Sequence, residues 1–286
     1  MLTRLTRQVQ DVAACGRRLT RTFTSAARLE LAAAYRGLEL LGLNEGVSNH
    51  LSAMAPRQSG EGEVMLVFRE GLHWKEVTAS NLLGLDMSAK TVEGEGSPDV
   101  TASSIHLAVH QKRPDIRVVM HTHQPYVSAL AALEDCELRM VHQNSIRFWN
   151  RVAYDVEYGG VAFSFEEGER LAKVLGDKDV LIMGNHGVMV VAPTISMAFE
   201  MLYFLERAAM VQVMAFSTQR PLKEIPEEVI KSVAPEYMKR AQNYADTLYY
   251  AVFRELQRTQ PDFEKTTDNL NRRSCSSPQS LGNLVR

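Results

Sequence analysis

From Ile116 to His123 the chain reads Ile-Arg-Val-Val-Met-His-Thr-His, directly after Arg113-Pro114-Asp115. The Pro-Asp pair signals a turn, and the apolar, β-branched run behind it predicts a short buried strand. On a strand, residues i and i+2 share a face, so His121 and His123 project the same way and form a chelating pair for one metal ion. Each imidazole brings polar nitrogens that a core strand must satisfy, which is why such an ending constrains the fold. The plainer alternative is two exposed histidines at a strand end.

A second local pattern supplies a partner for that pair. Val180-Leu181-Ile182-Met183 and Val188-Met189-Val190-Val191 are apolar runs separated only by Gly184-Asn185-His186-Gly187. They predict a tight antiparallel hairpin with His186 at its tip. Three histidines with an open fourth position make a catalytic rather than a structural metal arrangement, because structural zinc sites are closed.

The remaining composition narrows the class. With 286 residues, 45% hydrophobic and 23% charged, the chain matches an ordinary globular protein with a sizeable core. A formal charge of −2 and the lack of a basic stripe interleaved with aromatics give no drive toward nucleic acid or an anionic membrane. No apolar run reaches transmembrane length. Cys15, Cys136 and Cys275 are odd in number and far apart, which implies neither a disulfide framework nor a cysteine zinc site and suits a reducing compartment.

In chain order, residues 1–25 carry Arg4, Arg7, Arg17, Arg18 and Arg21 against one acid, Asp11, with Leu2, Leu5, Val9, Val12 and Ala13 on one helical face. That is the make-up of a mitochondrial transit peptide, the alternative being a solvated N-terminal helix of a cytoplasmic protein. An amphipathic helix is expected within Ala26 to Leu43, with Gly42 where it would stop, then a Gly/Ser/Asn-rich turn from Asn44 leading into a strand through His50. This turn offers Ser48, Asn49 and backbone N–H groups to an anionic ligand. Further expectations are a strand from Glu63 to Phe68, a turn at Gly71-Leu72-His73-Trp74, a short helix or turn from Thr78 to Leu83, and a loop from Thr91 to Pro98. A helix from Ser103 to Lys112 carries His106 and His110 one turn apart, without the adjacent Glu of the metalloprotease motif, so both read as core or surface histidines. Helices follow at Pro125 to Leu133 and Phe165 to Leu175, with short strands and turns around His142 to Gly160 between them. From Thr194 to Phe216 a long apolar helix is expected, buried between layers or against another subunit. Glu224 to Leu256 has helical rhythm with Pro226 and Pro235 as breakers. The single folded domain is expected to span 26–256, and residues 257–286 to form a disordered tail.

Taken together, Glu45-Gly46-Val47-Ser48-Asn49-His50-Leu51-Ser52, Gly71-Leu72-His73-Trp74 with Thr78-Ala79-Ser80, Arg113-Pro114-Asp115 before His121-Thr122-His123, and Asn185-His186-Gly187 resemble, in order, the class II aldolase/adducin family. The resemblance covers roughly residues 26 to 220. It implies a three-layer α/β/α fold with a mostly antiparallel central sheet, and a homotetramer with active sites near subunit interfaces. It also implies one divalent ion per chain on His121, His123 and His186, zinc first, with manganese or iron as alternatives. The activity implied is that of a lyase (aldol cleavage, decarboxylation or isomerisation through a metal-stabilised enediolate) on a small hydroxy-carbonyl or keto-acid substrate. Ser48, Asn49 and Gly71 are then substrate-binding positions. The phospho-sugar aldolases carry a catalytic Glu at the position matching Ala102, and serines that grip phosphate where this chain has Val100 and Thr101. With that acid missing, His50 and His142 are the nearest candidates for proton transfer. The resemblance also admits a non-catalytic adducin-like module, with actin or spectrin as partners, and a non-haem iron oxygenase.

Overall fold

The computed structural model describes residues 25–160 and 164–266. Helix α1 (25–40) stops before Gly42, whose φ of 69° belongs to the left-handed region that a C-terminal glycine adopts freely. Tyr35 on its buried side fastens β1 (His50–Pro56): the hydroxyl donates to the Leu51 carbonyl at 2.6 Å and accepts from the Leu51 amide at 2.9 Å. Next come β2 (Glu63–Val67), β3 (Leu83–Leu85) and β4 (Thr91–Glu93), then α2 (Val100–Lys112) and β5 (Val118–Thr122). After α3 (Pro125–Ala131) lie β6 (Val152–Asp155), α4 (Phe165–Leu175), β7 (Val180–Met183) and β8 (Gly187–Ala192), closed by α5 (Ile195–Ser217) and α6 (Glu227–Thr259).

The eight strands form one sheet in the order β4-β3-β2-β1-β5-β8-β7-β6, antiparallel throughout except for the β6–β7 pair. The strand period of two sorts the core into layers. Val118, Met120, Val180, Ile182, Val188 and Val190 face α1, α3, α5 and α6, whereas Val119, Leu181, Met183, Met189 and Val191 face α2 and α4. The result is the expected three-layer α/β/α arrangement. On the second face α2 and α4 pack very closely at Gly168, where any Cβ would run into the Ser104 carbonyl. His121 shares its face with Val119 and so looks toward α2, as do His50 and Ser52 of β1, whose neighbours Leu51 and Ala53 look the other way.

Several sequence expectations are corrected. The loop expected from Thr91 contains β4, and β3 starts at Leu83, where the expected short helix or turn ends; both are three-residue strands too short to show a period. Helix α2 begins three residues earlier than expected because Asp99 caps it. Pro235 does not break α6; it sits in the helix on an exposed side, where the carbonyl it leaves unpaired can meet water. The apolar length of α5 is explained within the chain: Phe199, Leu202, Leu205 and Ala209 are covered by the sheet and α6, and large exposed hydrophobic side chains appear only near its end, at Met214 and Phe216. Packing also continues beyond the expected boundary at Leu256. Helix α6 runs to Thr259, Phe263 is fully buried, and Asp262 pairs with the buried Arg36 at 2.9 Å. The arginine-rich segment 1–24 and residues 267–286 lie outside the described residues. Among the described residues no helix is long and apolar enough to cross a membrane.

Candidate active site

Strand β5 ends at the centre of the sheet, between β1 and β8, and delivers His121 and His123 there. The hairpin brings His186 to the same point, because β8 pairs with β5 and its first residue, Gly187, touches the chain at Thr122 and His123. The three imidazoles form a triangle whose ring centroids are 4.8 Å apart along every side. Their ligand atoms all lie within 4.8 Å of one another. Beyond His123, α3 has no side-chain cap of its own; the buried Glu206 of α5 accepts from the Tyr126 and Val127 amides at 2.9 and 3.0 Å and fixes the chain's exit.

Hydrogen bonding sets the tautomers. His121 donates from Nδ1 to the Val188 carbonyl at 3.0 Å, and His123 donates from Nδ1 to the Glu45 carboxylate at 2.6 Å. Both Nε2 atoms are therefore bare lone pairs, and they stand 3.1 Å apart. Neither can donate to the other, so only a shared proton or cation relieves the approach. Two imidazole nitrogens on one tetrahedral zinc lie about 3.4 Å apart, given Zn–N of about 2.0–2.1 Å. The donor set fits a divalent ion. Burial, reinforced by the neighbouring histidines, holds His121 well below the usual histidine range and pushes His186 down to about 4, which keeps both in the neutral, ligating form. Glu45 is the orienting carboxylate that a ligating histidine commonly has behind it. It belongs to the same turn as Asn49, whose side-chain oxygen accepts from the His123 amide at 3.2 Å.

A cavity of about 450 Å³ opens over the triangle, within the size range of small-molecule sites. Ser48, Asn49, His50 and Gly71 line it, together with Glu70, Asp99, Thr101 and Tyr158. Gly71 has φ 82° and open space where a side chain would project.

His50 stands opposite His121 in the β1–β5 register and belongs to a buried hydrogen-bond chain. Its Nε2 lies 3.2 Å from the Thr101 hydroxyl and its Nδ1 2.7 Å from His106 Nε2; His106 Nδ1 meets Ser52 Oγ at 2.7 Å, which meets His110 Nε2 at 3.2 Å. The Thr101 hydroxyl is held tightly by the Asp99 carboxylate, an acceptor only. That fixes the polarity of the whole chain: Thr101 donates to Asp99, His50 to Thr101, His106 to His50, Ser52 to His106 and His110 to Ser52. Burial pushes the Asp99 carboxyl up, but the hydrogen bonds from Thr101 and Ala102 and the neighbouring His50 together hold it below the usual carboxylate value. Burial pushes His50 down to about 4.

His142 is not brought to this cleft within the chain. It caps the 3₁₀ turn Gln143–Phe148, its Nδ1 accepting from the Asn144 amide at 3.3 Å. His106 and His110 are core histidines, as expected, but linked to the cleft. Sequence reasoning missed Glu45, Glu70, Asp99, Thr101 and Tyr158. The available signal for Asp99 was an Asp directly before the helical run, which reads as an N-cap.

The family model for the class II aldolase and adducin N-terminal domain matches residues 29–213. A Caulobacter vibrioides protein assigned by name to aldolase class 2 is 34% identical over 197 residues, 68% of this chain and 74% of that one. Human gamma-adducin is 31% identical over 195 residues, which is 66% of this chain but 27% of the adducin. An aldolase II superfamily protein from Pseudomonas syringae superposes with a TM-score of 0.75 at 32% identity, covering 84% of this chain and 96% of its own. The chain belongs to the class II aldolase and adducin N-terminal domain family.

Proposed function

We propose that the protein is a divalent-metal-dependent lyase-type enzyme acting on a small hydroxy-carbonyl or keto-acid substrate. One observation carries the reading: two imidazole Nε2 lone pairs 3.1 Å apart, with both Nδ1 atoms already committed as donors and a third histidine closing the triangle. When bound, a divalent ion, zinc by preference, supplies a Lewis acid that stabilises negative charge on carbonyl and hydroxyl oxygens beside the bond that breaks. His121, His123 and His186 hold it. Ser48, Asn49 and Gly71 shape the substrate wall, and Asp99 is the carboxylate placed to exchange a proton with bound substrate. Thr101 and His50 orient that carboxylate through donors that all point toward it. This gives Asp99 the part that a Glu at position 102 would play, with His50 acting through it.

Single replacements of His121, His123 and His186 by Ala test the centre. Each variant is expected to purify without stoichiometric metal; metal retained in all three would overturn the reading. A second reading, a non-catalytic interaction module, is favoured by the similarity to human gamma-adducin and by Ala102. Wild type lacking both metal and lyase activity would select it.

We further place the protein in mitochondria, on the five arginines against one acid before Ser25. A reporter carrying residues 1–30 should be imported and shortened, and a diffuse, uncut reporter would refute the placement. Assembly as a homotetramer is supported by the exposed Met214, Phe216, Met238 and Tyr250 on α5 and α6. Light scattering at micromolar concentration reporting the 32.1 kDa monomer would refute it.

A further inference from the structure

Away from the three histidines, the charged side chains that line the cleft are all of one sign. Among the described residues that line it, Glu70 and Asp99 are carboxylates and none is a lysine or arginine. Arg69, next to Glu70 in the chain, lays its side chain across Gly96 instead. Glu45 adds a third carboxylate behind His123.

Of the two backbone features that ordinarily attract an anion, the helix terminus is filled and the turn has its Ser48 amide engaged. Helix α2 points its N-terminus at the cleft, where unpaired N–H groups and the helix dipole suit phosphate. Asp99 fills that place: its Oδ1 accepts from the Thr101 amide at 2.7 Å and from the Ala102 amide at 3.2 Å. The turn expected to cup an anion gives its Ser48 amide to the Glu45 carbonyl at 2.9 Å. What the wall offers is acceptors, the carboxylate oxygens, beside the Ser48 and Thr101 hydroxyls and the Asn49 amide. Such a wall matches the hydroxyl donors of an uncharged polyhydroxy compound and repels a phosphate dianion.

We infer that the cleft selects uncharged hydroxy-ketones or hydroxy-aldehydes and rejects their phosphate esters, with Asp99 and Glu70 as the specificity-determining residues. This rests on the reading of the cleft as a metal-dependent lyase site, and names its substrate class.

A matched pair of chelating probes, glycolohydroxamate and its phosphate ester, isolates the charge effect, since the two share one metal-binding head. Titration calorimetry on the metal-loaded full chain is expected to show the uncharged probe binding about tenfold tighter or more. Asp99→Asn preserves a good helix cap and removes the charge, and Glu70→Gln removes the other. Each should raise affinity for the phosphate ester about tenfold, and the double variant should reverse the preference. Glu236→Gln, on the far exposed helix, should leave the preference unchanged and so controls for net charge. Tighter binding of the phosphate ester by wild type, or a preference unmoved in both cleft variants, overturns the inference while leaving the lyase reading standing. Binding of neither probe by metal-loaded wild type overturns both.

Discussion

Gly187 lies against His123 so closely that a Cβ on the glycine would come within 2.7 Å of His123 Cδ2 and 2.6 Å of the Thr122 carbonyl. The hairpin turn and the end of β5 can meet only because this residue has no side chain, and that meeting carries His186 to the other two imidazoles. Gly187→Ala must therefore push the hairpin away from a backbone oxygen that cannot yield. The expected result is destabilisation of about 1–3 kcal/mol and loss of at least tenfold in metal affinity. Chemical denaturation and a competitive metal titration measure both. Wild-type affinity in the variant would mean that the triangle does not depend on this contact.

Glu45 acts on the metal centre from outside it, by accepting from His123 Nδ1. Glu45→Gln keeps an acceptor but removes its charge, so His123 becomes a weaker and less firmly oriented ligand. Removal of such an outer carboxylate typically costs 10–100-fold in metal affinity. Competition against a chromophoric chelator should show a fall in that range with the fold intact by circular dichroism. An unchanged dissociation constant would reduce the 2.6 Å contact to a surface ion pair.

Which parts of this were legible beforehand follows from how local each signal is. The β5 strand and the hairpin carry period two and a Gly-Asn-His-Gly turn within a few residues, so the chain alone placed His121, His123 and His186 in their elements. Asp99, Glu70 and Glu45 reach the cleft only through the pairing of β1 with β5 and the packing of α2 over them, and no window of neighbouring residues contains that information. The spacing of His106 and His110 announced a shared helical face, yet their partner, Ser52, is over fifty positions away. His142 is the converse case: an aromatic and polar setting suggested chemistry, and within the chain its Nδ1 caps a turn away from the cleft.

The same buried histidine chain makes stability depend on pH. At its inner end His110 has a buried Nδ1 without a partner, and burial, aided by Arg117 and opposed by Glu63, lowers its pKa from 6.5 to about 4. The unfolded chain thus takes up a proton near pH 6.5 that the folded chain refuses until about pH 4. Stability from this group is fully present above pH 6.5 and is lost progressively as the pH falls toward 4, by up to about 1.4 kcal/mol per pH unit. Urea denaturation at pH 7 and pH 5 should show the loss, and His110→Leu should lessen it. Equal slopes in wild type and variant would show that His110 is protonated without cost.

Sugar phosphates should be poor substrates for a reason separate from their charge. Ala102 is fully buried in α2, with its amide bound to Asp99 and its side chain packed into the core. No carboxylate occupies the position that the phospho-sugar aldolases use for proton transfer; Asp99 presents its carboxylate from the N-cap of α2 instead, and an acid/base displaced from the geometry those substrates need forfeits much of the about 10²–10⁴-fold that a positioned one contributes. Wild type is accordingly expected to cleave fuculose- and ribulose-type phosphates well below about 1 s⁻¹, the low end of ordinary turnover. Ala102→Glu is not expected to restore the activity at matched metal content, because a charge at a fully buried site carries a desolvation penalty of several kcal/mol unless the core opens around it. A lower denaturation midpoint, with turnover still low, is the expected signature. A coupled assay showing wild-type cleavage on the order of 1 s⁻¹ or faster would return the protein to the phospho-sugar aldolases, whatever Ala102 suggests.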